Sequence, residues 1–430
     1  MTDNKFNRID HFRQIKKEIR GNSDFLIVGI DIAKDKHYAF FGDANGHTIL
    51  KKLPFENNQN GFEKLITHTE EKKAKIPFEK VVFGLEPTAD YHKSLGEFLI
   101  KKGYPLVFVG AAATVKNREL LDGRWDKNDM KDAANIADLI SQGKCQYYDH
   151  ASEQIRNLRS LLSLKRKIKK VEHSTSMRIR NHLVAQFFPE LDSYFGSYSE
   201  GCLSIIKHCF DPSDIAQMPF DSFVSLVTSR QPTRLQWGKL KSIWEMAPSS
   251  IGCSMTTGVD FESSMLVDSL RKTRIDIVAV EREIKRICLT LPEYEYILSI
   301  PGFGDTISAI TLAAIGDHTR FDNTRQLLKM AGLDLSSNRS GKFSDTQPAK
   351  ISKKGKSELR YGLYQAAMVA STRNVDFMAY FTNLIKDRSK EKGIKTRMRV
   401  KLSAKLLIIA WTLMKKKTVF NPVFIKSKQV

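Results

Sequence analysis

From Phe25 to Gly110 the sequence alternates short, nearly continuous apolar runs with stretches of helical periodicity, and this alternation restricts the fold more than any other feature. FLIVGID (25–31) is rich in β-branched residues and bounded by polar ones, which predicts a strand, and HYAFFGD (37–43) predicts a second. Asn45-Gly46 is a strong signal for a tight hairpin turn before TILKKL. GFEKLITHTEEKKAK then has the spacing of an amphipathic helix. KVVFGLE (80–86) is another strand, DYHKSLGEFLIKKG a helix ended by Gly103, and PLVFVG (105–110) a further strand.

A three-strand meander followed by strand and helix in alternation is the order expected of a ribonuclease H-like α/β domain, placed here at residues 22–145. Carboxylates fall where its strands end. Asp31 closes the first apolar strand and Glu86 the fourth, and in such a sheet these two strands are neighbours. Further on, GRWDKNDMKDAANIADLI (123–140) gathers Asp126, Asp129, Asp132 and Asp138 where an apolar helical stripe begins. Asp129 and Asp132 are three residues apart, so on a helix they share a face beside Ala133, Ile136, Ala137 and Ile140. Converging carboxylates repel one another unless a cation compensates, and an all-oxygen donor set suits magnesium. Two plainer roles compete. An aspartate at a strand end is commonly a turn residue, and Asp129 with Asp132 can act as an N-cap and its N3 partner. Asp126 also competes with Asp129 as a ligand, but it lies about 240° around a helix from Asp132 and shares its face only if it precedes the helix. The order Asp, Glu, Asp, Asp occurs in proofreading exonucleases too, yet Ala33 stands where their first strand carries glutamate.

Two long basic amphipathic segments follow. In residues 151–188, Ile155, Leu158, Leu161, Leu164, Ile168 and Val171 recur every three or four positions. In 263–290, Leu270, Ile277 and Ile284 interleave with Val280 and Ile287 at heptad spacing. The pair predicts an antiparallel coiled coil, within a chain or between chains, carrying a helical insertion and spanning residues 151–290. Residues 293–420 form a third, mainly helical unit. Its IPGFG (300–304) resembles the turn of a helix-hairpin-helix motif, in which the amides of Gly302 and Gly304 and a helix N-terminus grip phosphate. A polar stretch, AGLDLSSNRSGKFSD, precedes the basic ISKKGKSELR; around Ser340 it places Arg339, Lys342, Lys353, Lys354 and Arg360 as candidate nucleic-acid contacts. A loop serine needs an activating base or metal before it does chemistry.

Composition fixes the partner class. The chain has 69 Lys and Arg against 48 Asp and Glu, a formal net charge of +21, which favours a polyanion. The longest apolar run, Leu406 to Met414, falls well short of the ~20 residues that span a membrane. The N-terminal stretch lacks a signal peptide's apolar core, so a cytoplasmic, nucleoid-associated bacterial protein is expected. Five cysteines without Cys-x-x-Cys spacing suggest neither a disulfide framework nor a structural zinc.

Taken together, these motifs resemble the DEDD transposases of bacterial insertion sequences, the IS-one-ten family of bridge-RNA-guided recombinases. VGIDIAK is similar to the family's first acidic motif, GLEPTADYH to its second and NDMKDAANIADL to its Asp-x-x-Asp-Ala helix. SIPGFGDTISAITLAAIGDHTRFDNTRQLLKMAGL resembles the start of its transposase domain, and RSGK with ISKKGKSELR resembles the elements that follow. Asn128 replaces the family's threonine, and Leu335 its proline. The resemblance implies a fold like that of the RuvC junction resolvase, with Asp31, Glu86, Asp129 and Asp132 binding magnesium and Ser340 as nucleophile, forming a phosphoserine-DNA intermediate. It further implies a structured noncoding RNA that pairs with donor and target DNA, and a tetramer joined through the coiled coil. The alternative is a stand-alone magnesium-dependent junction-resolving nuclease that cuts with activated water.

Overall fold

A computed structural model describes residues 4–122, 129–194, 199–336 and 350–426. The chain forms two compact units, residues 1–150 and 151–430.

In the first unit, helix α1 (Asn4–Glu18) precedes strands β1 (Phe25–Asp31), β2 (Lys36–Asp43) and β3 (Thr48–Glu56). There follow α2 (Gln59–Lys75), β4 (Lys80–Leu85), α3 (His92–Lys101), β5 (Leu106–Phe108), α4 (Ala111–Asp122), α5 (Asp129–Ser141) and β6 (Gln146–Tyr147). The six strands make one sheet in the order β3-β2-β1-β4-β5-β6. β1 runs antiparallel to β2 and parallel to β4, with Ile30 opposite Leu85. The hairpin between β2 and β3 turns where Asn-Gly predicts it: the Asp43 carboxylate accepts the amides of Asn45 and His47, and Gly46 takes a φ of 89°.

β1 is buried at every position but its last, as a central strand covered on both faces must be. Its alternation divides the core. Leu26, Val28 and Ile30 pack with Phe83 and Leu85 of β4 against Phe62 and Leu65 of α2 and Leu95 and Leu99 of α3. Phe25 and Ile27 pack with Val82 and Val107 against Ile15 and Ile19 near the end of α1 and against Ile136, Ala137 and Ile140 of α5. On this second face Gly29 and Gly84 are partners across the strands, and both lie beneath α5. A Cβ on Gly29 would stand 2.3 Å from the Ala133 carbonyl oxygen, and one on Gly84 would stand 2.0 Å from Ile140 Cδ1.

The second unit begins with α6 (Glu153–Arg178), which passes into a π-helical turn at Ile179–Val184. Short helices between residues 185 and 249 lead to α7 (Thr257–Leu289). Lys165 pairs with Glu281, Glu172 with Arg274 and Arg178 with Glu262, so the two long helices run antiparallel. After them come α8 (Glu293–Leu298), α9 (Asp305–Ile315), α10 (Thr324–Ala331), a short ladder of β7 (Leu335–Ser336) with β8 (Lys350–Ile351), then α11 (Ser357–Arg373), α12 (Val375–Ile385) and α13 (Ile394–Lys416). One apolar core joins Ile155, Leu158 and Leu162 of α6 and Ile284 and Ile287 of α7 to Leu312 of α9, Leu363 of α11 and Leu406 of α13. The first turns of α6 and the last of α7 are therefore built into the C-terminal core. The insertion has its own core, around Leu183, Phe188, Ile206, Phe223 and Ile243, closed by Val267 and Leu270 of α7. Among the described residues no helix is long and apolar enough to cross a membrane.

Gly29→Val should destabilise the first unit by about 3 kcal/mol or more, because backbone rather than a movable side chain fills the space. Denaturant unfolding measures this, and a wild-type midpoint would refute the close packing of α5 on β1.

Candidate active site

The two-residue period of the strands decides where the first pair of carboxylates lies. Asp31 continues the series Phe25, Ile27, Gly29, and Glu86, one residue past β4, continues Val82, Gly84; both series face α5. Ile30 and Leu85 are partners, so Asp31 and Glu86 are the next step along two adjacent parallel strands. Asp132 lies on α5, one residue before the Ala133 carbonyl that rests over Gly29. The sheet edge and the helix thus bring three separate segments to one region of the same face. Asp129 is the first residue of α5, and its side chain lies outside the described residues, as do Asp126 and Ser340 with Arg339 and Lys342. Among the described residues no three acidic, histidine or cysteine side chains are close enough together to hold a metal ion. The donor set offered by the Asp and Glu side chains is all carboxylate oxygen, which fits a hard divalent cation such as magnesium.

Helix α4 organises these acids, and sequence reasoning missed it. Its Thr114 hydroxyl donates to Glu86 Oε2 at 2.8 Å, and one turn later the Arg118 guanidinium donates to Asp132 Oδ1 at 2.5 Å. Between them Asn117 donates to Asn135 Oδ1 at 2.8 Å and to Asp138 Oδ2 at 2.7 Å, while Asn135 donates back to the Thr114 carbonyl. Asp132 is 6% exposed, and a carboxylate at that depth requires a charged partner. Arg118 supplies it. Asp138, which also accepts from Gln142, is tied into this helix-to-helix network and is not one of the sheet-edge acids. A signal was available in the sequence: on α4 the polar Thr114 and Asn117 are buried whereas Val115 and Leu120 are 52% and 81% exposed. Such an inverted helix, polar inward, reveals itself only if periodicity is sought in polar residues as well as apolar ones.

In the second unit the turn expected to grip phosphate is closely packed on one side. Gly302, at φ 89°, lies against α11, where a Cβ would stand 2.4 Å from the Ala366 carbonyl oxygen, so its small size serves packing. Gly304 is the N-cap of α9 and has open space around it. At that helix start, however, Asp305 accepts from Lys285 Nζ at 2.9 Å and from the Tyr294 hydroxyl at 2.8 Å; Lys285 above all, then Tyr294, holds its carboxyl below the usual range. A carboxylate therefore already occupies the favourable field there. Arg360 donates to the Ala331 carbonyl at 2.9 Å and closes the end of α10, beside Gly332 in the left-handed conformation. Lys353 and Lys354 are exposed. The ladder of Leu335 with Ile351 and Ser336 with Lys350 flanks the segment that contains Ser340.

Comparison with known proteins matches both halves of the chain. A family model of DEDD transposases of the IS110 type matches residues 28–189, and one for the Transposase IS116/IS110/IS902 family matches residues 294–382. The 44.8 kDa protein of insertion element IS116 from Streptomyces clavuligerus is 23% identical over 411 residues, covering 93% of this chain and 97% of that protein. The 43.6 kDa protein of insertion element IS110 from Streptomyces coelicolor is 22% identical, covering 92% and 95%. A pilin gene-inverting protein of Moraxella bovis is 26% identical over 160 residues, 36% of this chain and 48% of that protein.

Arg118→Ala should cost about 3 kcal/mol of stability by leaving a buried carboxylate without its counter-charge. Adding Asp132→Asn should return a large part of the loss. Urea unfolding of the two single variants and the double variant measures the coupling, and strict additivity would refute the pair.

Proposed function

Since this chain belongs to the IS110 family of insertion-element transposases, enzymes that recombine DNA, we propose that it exchanges DNA strands through a carboxylate site in the first unit and Ser340 in the second. The observation that carries the proposal is the phase of Asp31 and Glu86: both end adjacent parallel strands on the face covered by α5, the helix bearing Asp129 and Asp132. The strand order, an antiparallel meander followed by parallel strands, supports a ribonuclease H-like domain of the RuvC kind.

Asp31, Glu86, Asp129 and Asp132 would hold magnesium, which when bound would offset charge on the attacked phosphodiester. The chain's own residues set up the rest. Thr114 orients Glu86, and Arg118 holds Asp132 in place at low exposure. The Ser340 hydroxyl attacks phosphorus, forming an Oγ–P bond as the bond to the neighbouring nucleoside oxygen breaks; that oxygen leaves and takes up a proton. A hydroxyl from another strand then attacks the phosphoserine, restores the serine and rejoins the DNA. No ATP is needed, because one phosphodiester bond replaces another.

The net charge of +21 suits a protein that reads nucleic-acid backbone and leaves sequence choice to base pairing by a structured noncoding guide RNA. The site would be completed within a tetramer, the acids of one protomer acting with the serine of another. The resemblance to a gene-inverting protein favours strand exchange over simple hydrolysis by a junction-resolving nuclease.

Asp31→Ala should abolish excision of the element while thermal unfolding stays unchanged, since Asp31 is only partly buried. With wild-type protein, denaturing gels should reveal a covalent protein-DNA product that Ser340→Ala lacks. An adduct that persists in Ser340→Ala would reject the nucleophile, and cleavage without any adduct would favour the hydrolytic nuclease.

A further inference from the structure

The parallel ladder of β1 with β4 ends at Ile30 and Leu85, one residue short of Asp31, whereas the antiparallel ladder with β2 reaches Asp31, opposite Tyr38. The backbone at Asp31 is therefore placed by β2 and by the turn of residues 32–35 that joins the two strands. We propose that His37 is a positioning residue for Asp31, its Nδ1 fixing the backbone two residues beyond the carboxylate. The part played by Asp31 rests on the proposed function; the clamp itself rests on the geometry that follows.

His37 is the second residue of β2 and is fully buried beneath α2, on the sheet face opposite the one that α5 covers. Its ring meets Phe55 edge-on, 5.2 Å between centroids, and stacks on Phe62 of α2 at 6.3 Å. The Ala33 amide donates to His37 Nδ1 at 3.2 Å. That bond fixes the tautomer, since Nδ1 offers its lone pair and the proton of the neutral ring sits on Nε2. Burial pushes the pKa of the ring down, against a smaller opposite pull from Asn57, and so favours this neutral acceptor.

The rest of the turn is tied as well. Asn57 donates from Nδ2 to the Lys34 carbonyl at 3.0 Å and from its backbone amide to the Asp35 carbonyl at 2.9 Å. Ile32, between the acid and the clamp, is 3% exposed and packs in the core that holds Phe55 and Phe62. Every residue from Asp31 to Asp35 is thus held by a ladder, a core contact or a hydrogen bond. The other ring nitrogen of His37 supplies a contrast. Nε2 is buried and finds no hydrogen-bond partner among the described residues, which costs stability. Phenylalanine would fill an aromatic cluster of this kind without that cost, so the imidazole is explained by what its Nδ1 holds. In the proposed site the acids would repel one another, and a pinned turn keeps Asp31 from yielding to that repulsion.

The test uses the full-length protein. Hydrogen exchange read by mass spectrometry follows the peptide that contains Ala33, and excision of the element in cells follows the chemistry. His37→Phe keeps the aromatic bulk and removes the acceptor, and His37→Leu is the second such variant should the first not fold. His37→Asn puts its Oδ1 where Nδ1 stands and keeps the acceptor. Removing the acceptor should speed exchange at Ala33 by about tenfold, the loss of one hydrogen bond. It should lower excision by about tenfold to a hundredfold, as a small misplacement of a reacting group does. His37→Asn should recover most of both. Leu65→Ala, a cavity in the same core, should lower the unfolding midpoint yet leave Ala33 exchange and excision near wild type. Unchanged exchange at Ala33 in the Phe and Leu variants would overturn the clamp, and unchanged excision despite faster exchange would overturn its part in placing Asp31. Equal losses in His37→Asn and His37→Phe would overturn it too. Excision that survives Asp31→Ala would instead reject the acid, while the exchange result still reads the clamp by itself.

Discussion

The contact between α5 and β1 governs the first unit. A helix normally stands off a sheet by the thickness of two side-chain layers, but paired Gly29 and Gly84 remove one layer on this face. The Ala133 carbonyl and the Ala137 amide consequently rest directly on the strand. The closeness has an electrostatic result. It brings the helix that carries Asp129 and Asp132 down to the level of the strand-end carboxylates, where longer side chains beneath it would have lifted it clear. The glycines therefore shape the candidate site as directly as the acids proposed for it.

A buried carboxylate in an apolar seam is costly alone, and the protein meets that cost with α4. Thr114 and Arg118, one turn apart, each reach a different acid, so a single rigid helix fixes the separation between Glu86 and Asp132. Asn117 and Asn135 lock α4 to α5 by side-chain amides that have few alternative partners. Such a network resists small displacements of Glu86 and Asp132.

Much of this was legible in the residues. The Asn-Gly turn, the β-branched runs and the amphipathic helices anticipate β1 to β5, α2, α3 and the long helix pair, because local propensity and burial agree there. The carboxylates at Asp31 and Glu86 were legible too, since strand periodicity alone assigns them a face. α4 was not, because its inward face is polar and apolar periodicity cannot detect it. The close packing of Gly302 against the Ala366 carbonyl, more than sixty residues away, is encoded by no local pattern. Arg159 was equally hidden: its bond to the Ala313 carbonyl forms only when the end of α9 is brought against α6.

The helix pair α6 and α7 has a consequence for how this protein can change. Its two ends are sunk in separate apolar cores, while the shaft between them buries little beyond Thr273 and Ile277 and is bridged by ion pairs such as Lys165 with Glu281. Cooperativity passes weakly through such a shaft. The distal head can therefore be enlarged, trimmed or exchanged over evolutionary time with little disturbance to the C-terminal core, and the π-helical turn at Ile179–Val184 marks the joint at which a lineage could graft a new one.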